Sequence, residues 1–184
     1  MMLAELLQDI TAIDPKLNRF ITKITDNSRN LEAGDLFFAY PGEKQDGRNF
    51  INEAISKGAS AIVCEAEDFN LYSQQVNFPV ILIPDLRFKI GYIAAKFYDY
   101  PSKKMHVIGI TGTSGKTSCS NFIATALHNS GVKCGIIGTL GSGFPNKLDS
   151  GINTTPVPCV CSSNYLRFYN SRLLPYQWKY RHIV

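Results

Sequence analysis

Apolar positions along the chain alternate with polar punctuation at short intervals. Leu3, Leu6, Leu7 and Ile10 recur at helical spacing and predict a short amphipathic helix over residues 2 to 10. Residues 20 to 25, Phe-Ile-Thr-Lys-Ile-Thr, alternate as a half-buried strand does. The polar turn Asp26-Asn27-Ser28-Arg29 follows, then a second turn at Ala33-Gly34-Asp35 and a strongly apolar strand from Leu36 to Tyr40. Residues 41 to 48 read as a loop, and residues 50 to 57 as a helix closed by Gly58. Ala61-Ile62-Val63-Cys64 and Val80-Ile81-Leu82-Ile83 are continuous apolar runs of the kind found in buried strands. Asp85 stands where an N-cap belongs, before a helix running to about Tyr98 with Leu86, Ile90, Ile93, Ala94 and Phe97 on one face.

Pro101-Ser102-Lys103-Lys104 interrupts the pattern and predicts a linker. Beyond it, Val107, Ile108 and Ile110 predict a short buried strand, and Phe122, Ile123, Ala126 and Leu127 a helix ending near Gly131. Residues 133 to 139 predict a second strand, so that residues 107 to 139 form one βαβ crossover. Gly141-Ser142-Gly143 and Pro145 predict a loop. The expected fold class is α/β: a small N-terminal domain over residues 1 to 100, then the start of a second α/β domain over residues 101 to 158. Residues 159 to 184 carry no helical or strand period.

Composition adds limits. At 184 residues the chain can hold one large or two small domains, and 45% hydrophobic with 18% charged residues is ordinary for a globular protein. No apolar run approaches the roughly 20 residues of a membrane span, and the acidic, amphipathic N-terminus does not resemble a secretion signal, so a cytoplasmic location is expected. The net charge of +4 lies in the last 26 residues, where Arg167, Arg172, Lys179 and Arg181 meet no acid; residues 1 to 158 balance. A nucleic-acid-binding field is therefore not expected. The acid-free, Tyr- and Ser-rich tail from Cys159 reads as aberrant and out of frame. Five cysteines at 64, 119, 134, 159 and 161 are scattered. Cys64, Cys119 and Cys134 are expected to be packed, and Cys159-x-Cys161 finds no second pair to complete a metal site. His106 and His128 are expected to be structural or solvated.

The chemistry sits between the Val107–Ile110 run and the helix that follows it. Strand, Gly112-Thr113-Ser114-Gly115, Lys116-Thr117, helix is the layout of a phosphate-binding loop. Glycines let backbone N–H groups approach phosphate oxygens, and the helix N-terminus adds its unpaired amides and positive dipole end. Lys116 can reach the β- and γ-phosphates, and the Thr117 hydroxyl can ligate Mg²⁺. The spacing is a variant: the common G-x-x-x-x-G-K-[ST] pattern asks for glycine at 110, where isoleucine stands. The candidate ATP site is Gly112, Thr113, Ser114, Gly115, Lys116, Thr117 and Ser118, with Lys116 and Thr117 in the catalytic role. An unrelated P-loop ATPase would share this loop.

Ile-Thr-Gly-Thr-Ser-Gly-Lys-Thr at 110 to 117 resembles the ATP loop of the Mur ligases, which add amino acids to the peptidoglycan precursor. Asp26-Asn27-Ser28-Arg29 with Ala33-Gly34-Asp35-Leu36-Phe37 resembles the D-S-R…G-D-L-F signature of their N-terminal domain. Gln45-Asp46-Gly47-Arg48-Asn49-Phe50-Ile51, then Ala54 and Gly58-Ala59, resembles its continuation. Gly138-Thr139-Leu140-Gly141 and Asn153-Thr154-Thr155-Pro156 resemble the G-T-x-G…N-T-T segment of those members that join a diamino acid to UDP-N-acetylmuramoyl-L-alanyl-D-glutamate; the sister members that add D-alanyl-D-alanine stay as an alternative. The resemblance covers residues 1 to about 158. It implies a UDP-binding N-terminal domain, then the beginning of an ATPase domain using ATP and Mg²⁺. It also implies contacts to the uridine nucleotide from Asp26, Ser28, Glu43, Lys44 and Gln45, and to the muramoyl peptide from Asn153, Thr154 and Thr155. The family's Mg²⁺-binding Glu and its amino-acid site lie beyond the resemblance. The chain alone is accordingly expected to be inactive, and a non-catalytic nucleotide-binding fragment is the alternative function.

Overall fold

The computed structural model describes residues 1–42, 45–69, 78–145, 147–149 and 158–171. They divide into two compact units: Met1–Tyr100 with Pro158–Ser162, and the described residues of Pro101–Val157 with those of Ser163–Val184.

The first unit is built on a parallel sheet of β1 (Ile24–Thr25), β2 (Leu36–Ala39), β3 (Ala61–Glu65) and β4 (Val80–Ile83), in that spatial order. Successive side chains of a strand point to opposite faces, and here both faces are covered. Leu36, Phe38, Ala61, Val63, Ile81 and Ile83 join Leu3, Leu6 and Leu7 of α1 (Leu3–Leu7) and Leu86, Ile90, Ile93 and Ala94 of α3 (Leu86–Phe97). Phe37, Ala39, Ile62 and Cys64 pack on the other side with Leu31, Ala59 and the Ile51 and Ala54 of α2 (Ile51–Ser56). Every residue of β2 and β3 is buried, which is why their sequences read as unbroken apolar runs. Burial in a two-faced layer raises the Cys64 thiol pKa to about 12, and partial burial at the end of α3 raises that of the Tyr98 phenol also to about 12.

Two expectations for this unit change. The strand predicted over residues 20 to 25 contracts to Ile24–Thr25, with Phe20 contributing only an isolated bridge to Met2 and lying 61% exposed. Asp85 does not cap α3. It adopts a left-handed conformation (φ 54°) and makes no side-chain cap bond. The cap comes from Glu65 at the end of β3, whose carboxylate accepts from the Asp85 and Leu86 amides (3.1 and 2.8 Å) and from Ala66 and Glu67 (2.9 and 3.4 Å). A buried carboxylate is tolerated there because four backbone donors surround it.

The second unit begins with a 3-10 turn at Pro101–Lys104. The strand predicted at Val107–Ile110 is not formed: residues 106–111 take no regular structure, and Val107 and Ile108 are 50% and 59% exposed. A strand needs partners for its ladder, and no described strand pairs with this run. The βαβ crossover is therefore absent among the described residues. α4 (Lys116–Asn129) follows the glycine loop and ends in a Schellman cap. Gly131 (φ 81°) donates to the His128 carbonyl, and Val132 to that of Leu127, both at 2.9 Å. Of α4's side chains only Ala124 is buried; Phe122 is 75% exposed, and Cys119, expected to be packed, is exposed.

β5 (Ile136–Gly138) does form, but it pairs antiparallel with β6 (Gly141–Phe144), which pairs in turn with β7 (Lys147–Asp149). The predicted loop at 141–143 is thus the central strand of a meander. Its glycines allow close approach: a Cβ on Gly143 would lie 2.2 Å from the Lys147 carbonyl oxygen. The tail from Cys159 carries no helical period in its sequence, yet Pro158–Ser171 form α5. The buried positions among its described side chains explain the missing period. They are Cys159 and Ser162 on one side of the helix and Asn164 and Phe168 on roughly the opposite side, three of them small or polar. Phe168 stacks edge-on with Phe144 at 5.4 Å and covers Gly135, where a Cβ would meet its ring at 2.7 Å. Among the described residues no helix is long and apolar enough to cross a membrane.

Candidate functional site

In the first unit the described ones among the expected nucleotide contacts, Asp26, Ser28 and Gln45, come after the carboxyl ends of β1 and β2, the side on which open α/β sheets bind ligands. Asp26 follows β1, Tyr40 and the loop to Arg48 follow β2, and Glu65 ends β3. The Asp26 carboxylate accepts the Tyr40 hydroxyl at 2.8 Å. Burial pushes the Asp26 pKa above its usual value, and the Tyr40 hydrogen bond partly offsets that; burial and the facing carboxylate raise Tyr40 in turn.

Ser28 opens a 3-10 turn whose cap is the Asn27 side chain, accepting from the Arg29 amide at 3.0 Å. The Ser28 hydroxyl, 6% exposed, donates to Glu53 Oε2 at 3.1 Å. Lys57 donates to the Ser28 carbonyl at 2.7 Å and pairs with Glu53 at 2.8 Å one helical turn away. Lys57 and then Ser28 lower the Glu53 pKa. Sequence reading named Asp26 and Ser28 but missed the partners that orient them, Tyr40 and Glu53. The Glu53…Lys57 spacing of four was the available signal.

Gln45 is exposed, and its carbonyl accepts from the Gly42 amide at 3.0 Å. Glu43, Lys44, Asn153, Thr154 and Thr155 lie outside the described residues.

In the second unit the loop Gly112–Ser118 has the local geometry of a phosphate cradle. Gly112 and Gly115 take φ of 147° and 77°, and no atom lies within 4 Å of where a Gly115 Cβ would stand. The first intrahelical bond recorded at this end runs from Cys119 N–H to the Gly115 carbonyl at 2.9 Å. The amides before it point out of the helix end with no intrahelical acceptor. Lys116 folds back and donates its ammonium to the Gly112 carbonyl, across the mouth of the loop. The loop is exposed throughout. The Thr117 carbonyl accepts from Ser120 Oγ and Asn121 Nδ2, both at 2.8 Å.

These residues fit a polyphosphate: open space at Gly115, helix-end amides without intrahelical acceptors, and one exposed lysine. Among the described residues no group of three His, Cys, Asp or Glu side chains could hold a metal ion.

The family described as the Mur ligase family, catalytic domain, matches residues 20–98, within the first unit. The UDP-N-acetylmuramoyl-L-alanyl-D-glutamate–2,6-diaminopimelate ligase of Coxiella burnetii is 51% identical over 138 residues, 75% of this chain and 28% of that protein. The Pseudomonas aeruginosa protein of the same name is 45% identical over 138 residues, again 75% and 28%. The chain thus spans little more than a quarter of the length of these relatives. A solved structure of a ligase of that name superposes with a TM-score of 0.64 at 23% identity, over 93% of this chain and 34% of the other, and at that identity it bears on the fold. Identity near one half across three quarters of its length, with the family model over residues 20–98, means that the chain carries a Mur ligase family domain.

Proposed function

We propose that the chain is part of an ATP-dependent ligase of peptidoglycan precursor synthesis. The reaction joins a diamino acid, diaminopimelate or lysine, to UDP-N-acetylmuramoyl-L-alanyl-D-glutamate. The γ-phosphate of ATP passes to the D-glutamate carboxylate, and the amine of the diamino acid displaces phosphate from the acyl phosphate. The observation that carries this reading is the Gly112–Lys116 loop: two glycines at positive φ lead into a helix N-terminus with a lysine held over the opening. Names of relatives at 45–51% identity support the choice of substrates.

Phosphoryl transfer asks mainly for positioning and charge neutralisation. The amides at the start of α4 would receive phosphate oxygens, and Lys116, which now donates to the Gly112 carbonyl, would turn to the γ-phosphate. Thr117 offers a hydroxyl to Mg²⁺, which when bound would neutralise phosphate charge. Asp26, Ser28 and Gln45 would hold the uridine end, with Asp26 and Ser28 fixed by Tyr40 and Glu53. Both ATP and UDP-sugars are cytoplasmic metabolites, and we assign the chain to that compartment.

Taken alone, the 184-residue chain is expected to bind ligands and turn nothing over. No carboxylate cluster stands ready for Mg²⁺ among its described residues, and the run feeding the P-loop is unpaired. Calorimetric titration of the chain with Mg-ATP and, separately, with UDP-N-acetylmuramoyl-L-alanyl-D-glutamate tests the reading. Lys116→Ala should weaken ATP at least about tenfold and leave the UDP ligand unchanged. Equal loss of both, or no binding of either by the unaltered chain, would overturn it.

A further inference from the structure

Asp46-Gly47-Arg48 is part of the sequence signature, yet neither charged side chain has a role in the reading above. Arg48 is only 8% exposed. Its guanidinium meets the Asp46 carboxylate through Nε, at 3.0 Å to each oxygen, and through Nη2, at 2.7 Å. Its Nη1 donates to the Glu67 carbonyl, just past the end of β3. Asp46 Oδ1 also caps the Arg48 amide at 2.9 Å. Gly47 and Arg48 are thereby fastened on two sides. On the β2 side, Tyr40 accepts the Gly47 amide at 2.9 Å, and a Cβ on Gly47 would stand 2.9 Å from that same carbonyl oxygen. On the other side, Arg48 reaches the backbone just past β3.

A guanidinium removed from water beside a carboxylate gains little net stability as a pair, but breaking it leaves a buried charge. Its fork fixes direction as well as distance. Gln45, one position before Asp46, is exposed. We propose that the Asp46–Arg48 pair is a positioning clasp that holds Gln45 in its ligand-binding position, and that Arg48 acts on uridine-nucleotide affinity through Gln45 without touching the ligand. The inference rests on the uridine-nucleotide site proposed above.

The test is calorimetric titration of the full 184-residue chain with UDP, in the unaltered protein, Gln45→Ala, Arg48→Lys and the double variant, with thermal melts of each. Arg48→Lys keeps the charge and loses the fork. It should weaken UDP at least tenfold while the melt stays cooperative. In the Gln45→Ala background it should weaken UDP less than twofold further, because the residue it positions is already gone. Asp46→Asn, which keeps an oxygen for the Arg48 amide, should fall between, and decides the matter if Arg48→Lys does not fold. Unchanged affinity in Arg48→Lys, or in Asp46→Asn where that variant decides, would overturn the clasp alone. So would Arg48→Lys and Gln45→Ala losses that multiply in the double variant. No binding of UDP by the unaltered chain would overturn the uridine site itself, and the clasp with it.

Discussion

β3 and the run before the P-loop are near twins in sequence and opposites in structure. Ala61-Ile62-Val63-Cys64 and Val107-Ile108-Gly109-Ile110 are both short, apolar and rich in β-branched residues. The first is fully buried between β2 and β4, with helices on both faces. The second is unpaired, with Val107 and Ile108 at least half exposed. Strand propensity describes a residue's fit to a half-buried pleated surface, and it yields a strand only where neighbouring strands supply the ladder. The first unit contains its own partners. The described part of the second does not, and its glycine-rich segment after Gly138 folds into a local antiparallel meander.

The largest contrast should be in thiol reactivity. Cys64 is buried in β3 with its pKa raised to about 12, whereas Cys119 is exposed on α4. Labelling at pH 8, resolved peptide by peptide, should modify Cys119 faster by on the order of 10³-fold, since Cys64 reacts only through opening of the core. Comparable rates would erase the distinction between the two regions. Next, Phe38→Ala removes a side chain 1% exposed and should cost about 3–5 kcal/mol in urea unfolding. Ile108→Ala should stay within about 0.5 kcal/mol. A loss above 2 kcal/mol for Ile108 would mean that its run is packed.

Glu65→Ala should cost about 3 kcal/mol, because it strands the amides that the carboxylate collects at the end of β3. A neutral result would show that water replaces it. The smallest effect concerns Asp26. Its folded pKa is raised above 3.8, so folding favours the protonated acid. That contribution is complete below 3.8 and is lost as pH rises through the folded value. Asp26→Asn should therefore be no less stable than the parent at pH 7 and should lose ground to it below pH 4. A variant less stable at pH 7 by more than it is at pH 3 would reverse the sign.

Much of the first unit was legible in the sequence. β2, β3, β4 and α3 lie within a residue of their predicted bounds, since two-faced burial forces continuous apolar runs and a one-sided helix forces a stripe. Asp85 misled because local spacing cannot reveal a cap delivered from Glu65, 20 residues upstream. Loop and helix around Lys116 were also legible, because glycines and a helix start are local signals; the strand before them depends on partners and was not. α5 escaped notice because Cys159, Ser162 and Asn164 fill buried positions with small or polar side chains. Of the candidate site, Asp26 and Ser28 came from the signature, while Tyr40 and Glu53, which orient them, came only from the structure.

Hydrogen exchange of the full chain, with and without UDP-N-acetylmuramoyl-L-alanyl-D-glutamate, tests the central claim most directly: a finished core in the first unit, proposed to bind the uridine nucleotide, and in the second an unpaired run that leads into an open glycine loop. Amides of β2 and β3 should be the slowest in both states, with 106–111 exchanging near the unstructured rate. Ligand should slow exchange around Asp26–Ser28 and Gln45–Arg48 and leave 106–111 unchanged. Protection of 106–111 in the free chain equal to that of β3, or ligand protection that bypasses Asp26–Ser28 and Gln45–Arg48, would contradict the account.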